Sequence, residues 1–570
     1  MDYLVRVNMS TESVTREKVP LQYAGLGGRG LTSSLVYHEV PAGSDPLGKN
    51  NKLVMAPGLL GGTGASSSSR LSVGAKSPLT GGIKEANAGG TAGGYLARSG
   101  IRALVIEGEA AAGRHYILYL GKNQDYQLVK VDFEVKGIYA LMTQLREKYG
   151  DSISVICAGP AGMNKMRSAA VVVSDPEFNP RFAARGGLGA VMGSKGLLAV
   201  VIESPRGMQR IPADRSRFIE TSRKLNRLLL ENPKTGKTFR EFGTTAITKV
   251  VSEIGCLPTR NFSQGSFEEV ESISGEALRD LIRERGGEGC SGKRCMPGCV
   301  ICCSNIIPGP DGKAVVANLQ YETLALMGSN CGFSSLDDIA RLNYVCNDIG
   351  ADTIEMGAAL GVAMDGGVLP FGDLAGTLKL LEEVREATPL GRVIGNGALI
   401  TGQVLGVKRI PVSKGQAFPG YDPRALKGNG VTYSTSAMGA DHTAGNAFGD
   451  RATTDPLKTD GQVALSRKLQ LRAAVLDTLG FCIFARPPLL ADPDIMVDLL
   501  NSLYGWDMDS SGLWKIGEDL LKLECSFNRR EGFGPEYDRL PEIFTQEPLP
   551  PHNTVFDMEP QEMARVYDFD

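Results

Sequence analysis

The chain has 570 residues, with 61 Lys and Arg against 64 Asp and Glu, for a formal net charge of −3. That balance leaves no broad electrostatic footprint for nucleic acid or for an anionic membrane. With 42% hydrophobic and 22% charged residues the composition is globular. No run of about 18 apolar residues offers a transmembrane helix. The opening MDYLVRVNMSTESV lacks the basic-then-apolar layout of a signal peptide, so a cytoplasmic protein is expected. The length sets a prior of about two to four domains.

Residues 1–205 alternate short β-like runs with Gly-, Ser- and Pro-rich turns. YLVRVNM, NKLVMAPGLL, RALVIEG, HYILYL, SISVICAG, SAAVVVS and GLLAVVIES are the clearest. The character changes near residue 206. DRSRFIETSRKLNRLLLEN shows helical spacing, with Asp214 or Ser216 as N-cap. Further helices are predicted in GEALRDLIRERG, SLDDIARLNYVCNDIG, AGTLKLLEEVREA, ALSRKLQLRAAVLDTLG, DIMVDLLNSLYG and GLWKIGEDLLKLECSF. A Pro/Gly-rich stretch at 411–424 is the best internal break. The expectation is a multidomain α+β protein: a β-rich segment 1–205, a helical segment 206–412 and a second helical segment 413–570.

Two residue types stand out: 71 glycines and 11 cysteines. Five cysteines crowd into CSGKRCMPGCVICCSN, residues 290–305, and without a secretion signal a disulfide framework is disfavoured. Cys295, Cys299 and Cys303 are spaced C-x3-C-x3-C, and Cys302 gives an alternative C-x3-C-x2-C. Thiolates this close suit an iron–sulfur cluster with a fourth ligand from elsewhere. Structural zinc and unligated thiols are the competing readings. The remote ligand is one of Cys157, Cys256, Cys331, Cys346, Cys482 or Cys525.

Several segments together resemble the aldehyde:ferredoxin oxidoreductase family. They are LVRVNMSTESV, GGRGLTSSLVYHEVP, SRLSVGAKSPLTGGIKEANAGGTAGGYLARSG, ARGGLGAVMGSKGLLAVVI, LPTRNF, YETLALMGSNCG, NDIGADTIEMG and LDTLGFCIFAR, and they occur in family order. The resemblance implies a β-rich base under two helical domains. It also implies a tungsten (or molybdenum) bis-pyranopterin, one 4Fe-4S cluster, and a magnesium ion bridging the pterin phosphates. Arg70 and Asn87, with Ala88 and Gly89 beside them, match positions near those phosphates, and Arg185-Gly186 matches a second pterin-contacting segment. Phosphates favour guanidinium forks and backbone N–H groups at glycine-rich turns. Asp352 and Asp477 match pterin-ring contacts. In the first of the two pterin-holding motifs Asn347 stands for the usual leading Asp, with Asp348 as the other candidate; in the second, Phe481 stands for Leu. Cys482 then matches the remote cluster ligand, with Cys295, Cys299 and Cys303; Cys290 and Cys302 remain candidates beside Cys295.

Of four histidines, His38, His115, His442 and His552, only His442 lies in a loop of small residues, STSAMGADHTAGN. The resemblance makes His442 the histidine beside the metal and Glu322 of YET the catalytic carboxylate. The implied reaction is oxidation of an aldehyde to a carboxylic acid, or the reverse, with ferredoxin or a ferredoxin-like subunit as electron partner. A homodimer or a hetero-oligomer is expected, with no nucleic acid or membrane partner. Two other readings stand: a catalytic subunit of the benzoyl-CoA-reductase type, acting on an aromatic acyl-CoA, and a non-catalytic iron–sulfur electron-transfer subunit.

Overall fold

The computed structural model describes residues 2–205 and 210–569. The break expected near residue 206 lies outside the described residues. The chain divides into two compact units, each built from discontinuous segments. The first takes 1–237, 294–302 and 474–531; the second takes 238–293, 303–473 and 532–570.

The first unit holds two six-stranded sheets. In the first sheet the strands are β1 (Tyr3–Asn8), β2 (Ser13–Lys18), β3 (Leu53–Pro57), β4 (Leu71–Lys76), β5 (Ile83–Ala88) and β6 (Ile101–Glu107), in the order β2-β1-β6-β3-β4-β5. The second sheet contains β7 (Tyr116–Leu120), β8 (Tyr126–Lys130), β9 (Ile153–Cys157), β10 (Val171–Ser174), β11 (Pro180–Ala183) and β12 (Leu197–Glu203), in the order β11-β10-β9-β12-β7-β8. Strand alternation sends Val5, Val7, Met55 and Val73 of one sheet and Leu118, Ile156, Val171 and Val200 of the other into one shared core. The opposite side of the second sheet buries Ile117, Val155 and Val201 against Ile138, Leu141 and Leu145 of the helix Ile138–Tyr149. The helix Gly28–Glu39 packs on β3, β4 and β5 and against the helix Ser510–Arg530.

β4 and β5 were not among the predicted runs. IKEANA carries Lys84, Glu85 and Asn87 in a mostly buried strand and shows no apolar alternation, whereas LSVGAK does alternate and sends Leu71, Val73 and Ala75 into the shared core.

The second unit is mostly helical, as the periodicity predicts. The helices Gly275–Arg285, Leu336–Ile349, Leu374–Glu386 and much of Gln462–Leu479 form where expected. In the first unit, Arg215–Glu231 starts at Asp214, whose side chain accepts from the Arg217 N–H. Three features of the second unit depart from expectation. The helix Thr353–Asp365 has no apolar stripe to detect, because it is buried on almost every side. A small sheet of β13 (Cys290–Lys293), β14 (Ser304–Pro308) and β15 (Ala314–Ala317) interrupts the helices, and the cysteine loop 294–302 leaves it for the first unit. Finally, the 411–424 stretch, expected as the internal break, lies within the second unit. It is largely buried and pairs Val412–Ser413 with Gln416–Ala417, and the Ala417 N–H donates to the buried Glu355 carboxylate at 2.9 Å.

Candidate functional site

In the first unit the helix Gln462–Leu479 ends in DTLGFC, and this end is gripped by backbone. The Leu59 N–H donates to the Thr478 carbonyl at 3.1 Å and the Leu60 N–H to Leu479 at 3.0 Å. The Arg70 N–H donates to Gly480 at 3.2 Å and the Cys482 N–H to Ser67 at 2.7 Å. So close an approach needs glycine at position 58, where an added Cβ would lie 2.2 Å from the Gly480 backbone.

Asp477 at this end is engaged from two sides. The Asn87 amide donates to Oδ1 at 3.2 Å and Arg29 to Oδ2 at 3.4 Å. Arg29 is fully buried and forks onto Glu524 at 2.7 Å. Arg70 donates through Nε to the Asn87 side chain and at 2.8 Å to the Asn87 carbonyl. Arg70, Asn87 and Asp477 are thus brought together. Phe481 is buried beside them in the chain. Arg185 and Gly186 form a tight turn packed on β5. Gly186 has φ +82°, and its open face is filled by the Lys84 methylenes, so a side chain is excluded twice over.

Three expected thiols belong to this unit. The Cys295 carbonyl accepts from the Gly90 N–H at 2.7 Å, next to Ala88 and Gly89. Cys299 accepts a hydrogen bond from Ser67 at 3.5 Å, and Ser67 in turn anchors Cys482. A hydrogen bond from Cys295 lowers the Cys299 thiol to about 5 against burial, helped by the Cys302 N–H and Ser67. Burial raises Cys482, opposed by Arg70. Cys302 turns its Sγ onto the Cys299 carbonyl at 3.4 Å. Cys303 is the first residue of a second-unit segment, and Cys290 lies in β13. Among the described residues no three His, Cys, Asp or Glu side chains converge as a single metal ion requires. An iron–sulfur cluster asks less, since each thiolate takes its own iron.

In the second unit Glu322 opens a short helix, Tyr321–Thr323, that runs into the π-helix Leu324–Gly328. Its Oε1 lies 3.4 Å from His442 Nε2, and its Oε2 accepts from the Gly420 N–H at 2.6 Å. The Tyr321 hydroxyl donates to the Gly420 carbonyl, so the same glycine is held through both of its backbone groups. The His442 loop is shaped by Asp441, which accepts from the Thr443 N–H at 2.9 Å and its hydroxyl at 2.7 Å. Tyr421 has its ring 6.2 Å from that of His442. Asp352 caps the helix Thr353–Asp365 through the Ile354 N–H at 3.0 Å, and Thr353 meets Thr323 at 2.8 Å. Asn347 is buried, whereas Asp348 is committed to Arg385 at 2.8 Å.

Residues 4–204 match the aldehyde ferredoxin oxidoreductase N-terminal domain, and residues 220–567 match aldehyde ferredoxin oxidoreductase domains 2 and 3. The chain belongs to the aldehyde ferredoxin oxidoreductase family. It is 31% identical to the tungsten-containing aldehyde ferredoxin oxidoreductase of Thermococcus kodakarensis, over 96% of this chain and 91% of that protein. The Pyrococcus horikoshii protein of the same name is also 31% identical, over 96% and 92%. An aliphatic sulfonate oxidoreductase, WOR-like subunit, of Pyrococcus furiosus is 27% identical over 76% of this chain and 72% of its own length. In fold, the chain resembles the BamBC active-site complex of benzoyl coenzyme A reductase with 1,5-dienoyl-CoA. The TM-score is 0.79 at 18% identity, covering 99% of this chain and 92% of that one.

Within this aldehyde ferredoxin oxidoreductase family member, several residues around the candidate site escaped the sequence reading. Arg29 and Glu524 hold Asp477 from behind, Ser67 links two cysteine segments, and Gly420 fixes Glu322. Arg29 sits in GGRG, part of a segment that already carried the resemblance; Glu524 and Gly420 have no local signal, because their partners are remote in the chain.

Proposed function

We propose that the chain is a tungsten (or molybdenum) bis-pyranopterin oxidoreductase that converts aldehydes to carboxylic acids or the reverse. Electrons pass through a 4Fe-4S cluster to ferredoxin or a ferredoxin-like subunit, in the cytoplasm. The observation that carries this reading is the Glu322–His442 pair at 3.4 Å in a chain of this family.

The residues present fit such a cofactor set. Cys299 is poised as a thiolate, and Cys295 and Cys482 are held on the same Gly90 and Ser67 scaffold. With Cys303 they would hold the cluster. Asp477 is an acceptor-only carboxylate, which suits the N–H-rich edge of a pterin. Arg70, Asn87, Ala88, Gly89, Arg185 and Gly186 suit its phosphates and a bridging magnesium ion. Asn347 and Asp352 would serve the second pterin. In this reading residues 1–205 form the pterin-binding base, 206–412 carry the cysteine run and Glu322, and 413–570 carry His442, Asp477 and Cys482. The active assembly is a homodimer or a complex with separate iron–sulfur subunits.

When bound, the cofactor supplies the two-electron redox change and the cluster its one-electron exit. The net reaction is RCHO + H2O → RCOOH with release of two protons and two electrons. Glu322 takes a proton from the attacking water through Oε1, while the Gly420 N–H keeps the carboxylate oriented through Oε2. His442 Nε2 donates a hydrogen bond to the carbonyl oxygen as negative charge develops there.

Anaerobic purification with metal analysis and an aldehyde panel tests this. About one tungsten or molybdenum per chain, iron, and aldehyde-dependent dye reduction are expected. Activity on an aromatic acyl-CoA in place of aldehydes would move the assignment to the benzoyl-CoA-reductase type. Iron without tungsten or molybdenum would make the chain an electron carrier, and zinc alone would end the reading.

A further inference from the structure

The helix Arg215–Glu231 of the first unit buries Phe218, Thr221, Leu225 and Leu229. It packs on the helices Arg486–Ala491 and Asp494–Tyr504. The first of those begins four residues past Cys482, so this surface helix rests on the segment that continues from the remote thiol. The helix carries five basic residues against two acidic ones, Glu220 and Glu231. Arg217 and Lys224, on one edge, are paired with Asp498 and Asp492 of the underlying segment. Arg215, Arg223 and Arg227 are exposed and, among the described residues, have no hydrogen bond or ion pair.

Arg215, Ile219, Arg223 and Arg227 recur at intervals of four, and Leu230 falls seven past Arg223, so the five share one stripe. Ile219 is 38% and Leu230 49% exposed, and Ile211, just before the helix, is 81% exposed. Arginines interleaved with bare aliphatic side chains have the composition of a protein contact rather than of a solvated face. Charge decides which protein. A second copy set on the stripe by a twofold axis would oppose arginine to arginine. A bilayer would need the helix's continuous apolar side, and that side is buried in the fold. A partner with an acidic face satisfies the three guanidinium groups and covers the aliphatic ones.

We propose that the stripe from Arg215 to Leu230 docks a small one-electron carrier protein through an acidic face of that carrier, on the Cys482 side of the first unit. The carrier gains one electron at each encounter, so the two electrons released per aldehyde need two encounters. The electron-carrying purpose rests on the function proposed above; the docking of an acidic protein does not.

The holoenzyme and an acidic ferredoxin test it. At low ionic strength the wild type should bind the oxidised ferredoxin, with affinity falling as salt is added. R215E/R223E/R227E should weaken binding by about tenfold or more and raise the KM for ferredoxin in step. Its iron content and its kcat with a small-molecule dye should stay at wild-type values. R215K/R223K/R227K keeps the charges and should keep most of the affinity. Equal ferredoxin affinity in the charge-reversed variant and the wild type, or no binding by the wild type at low salt, overturns the proposal. So does a change of oligomeric state in that variant with ferredoxin affinity unaltered, which would make the stripe an interface between copies. Wild-type binding to anionic phospholipid vesicles in place of ferredoxin overturns it as well. A wild type that binds ferredoxin but does not reduce it with any aldehyde supports the docking surface and overturns the function it was to serve.

Discussion

The Glu322 carboxylate stands 3.4 Å from the His442 ring, and the two residues come from distant stretches of the second unit. The pair is held from outside itself: Gly420 grips the carboxylate, and an Asp441-centred turn shapes the histidine loop. Glu322→Gln keeps the Gly420 hydrogen bond and the side-chain volume but removes the base. Aldehyde-dependent dye reduction should fall by about 100- to 10,000-fold, while tungsten and iron contents stay at wild-type levels. Steady-state rates with metal analysis check this, and a wild-type rate would remove Glu322 from the chemistry.

Cys482 is fixed by the backbone bond to Ser67, which also donates to Cys299. Cys482→Ala leaves that backbone bond intact and deletes only the sulfur. The reduced-state EPR signal of the cluster should be lost or changed in type. An unaltered spectrum would exclude Cys482 as a ligand.

Gly58 touches the turn that carries Cys482. Alanine there meets main-chain atoms of Gly480 and Leu479 at 2.2 to 2.4 Å, and main chain cannot rotate aside as a side chain can. Gly58→Ala should cost about 1–3 kcal/mol of stability through overpacking. It should also lower iron content by shifting the Cys482 turn. Thermal unfolding and iron determination report the two effects separately. An unchanged melting temperature would mean that the turn can move away as a body.

Glu85 gives the protein a distinct pH dependence. Its folded-state value, about 8, lies above the ordinary 4.5. Between those values the folded chain keeps a proton that the unfolded chain has released, so this residue's contribution makes stability fall as pH rises across the window. Above about 8 the contribution is constant. E85Q has no proton to lose, so the stability difference between E85Q and wild type should grow in favour of the variant from pH 4.5 to about 8. Denaturant titrations at a series of pH values measure this, and parallel pH profiles for the two proteins would contradict it.

Much of the secondary structure was legible because most elements bury one side. Leu225 and Leu229, or Leu278 and Ile282, recur at helical spacing on helices with one wet face. The exceptions share a cause. Thr353–Asp365 is buried nearly all round, so no stripe marks it. β5 carries Lys84, Glu85 and Asn87 where a strand of this burial would ordinarily be apolar, and such local violations concentrate at functional sites. The 411–424 stretch reads as a break by its Pro and Gly content, yet Val412–Ser413 pairs with Gln416–Ala417 and the Ala417 N–H is held by Glu355.

The sequence by itself determined the family, the β-then-helical order, the crowding of cysteines at 290–303 and the candidacy of Glu322, His442, Asp477 and Cys482. These are properties of residue type, spacing and order, which a linear chain displays directly. Only the tertiary structure decided what each group faces: His442 and Gly420 for Glu322, Arg29 and Asn87 for Asp477, Ser67 for Cys299 and Cys482, and no partner for Glu85 Oε1 among the described residues. Charge state and orientation depend on burial and on the nearest dipoles and charges, and here those come from segments remote in the chain.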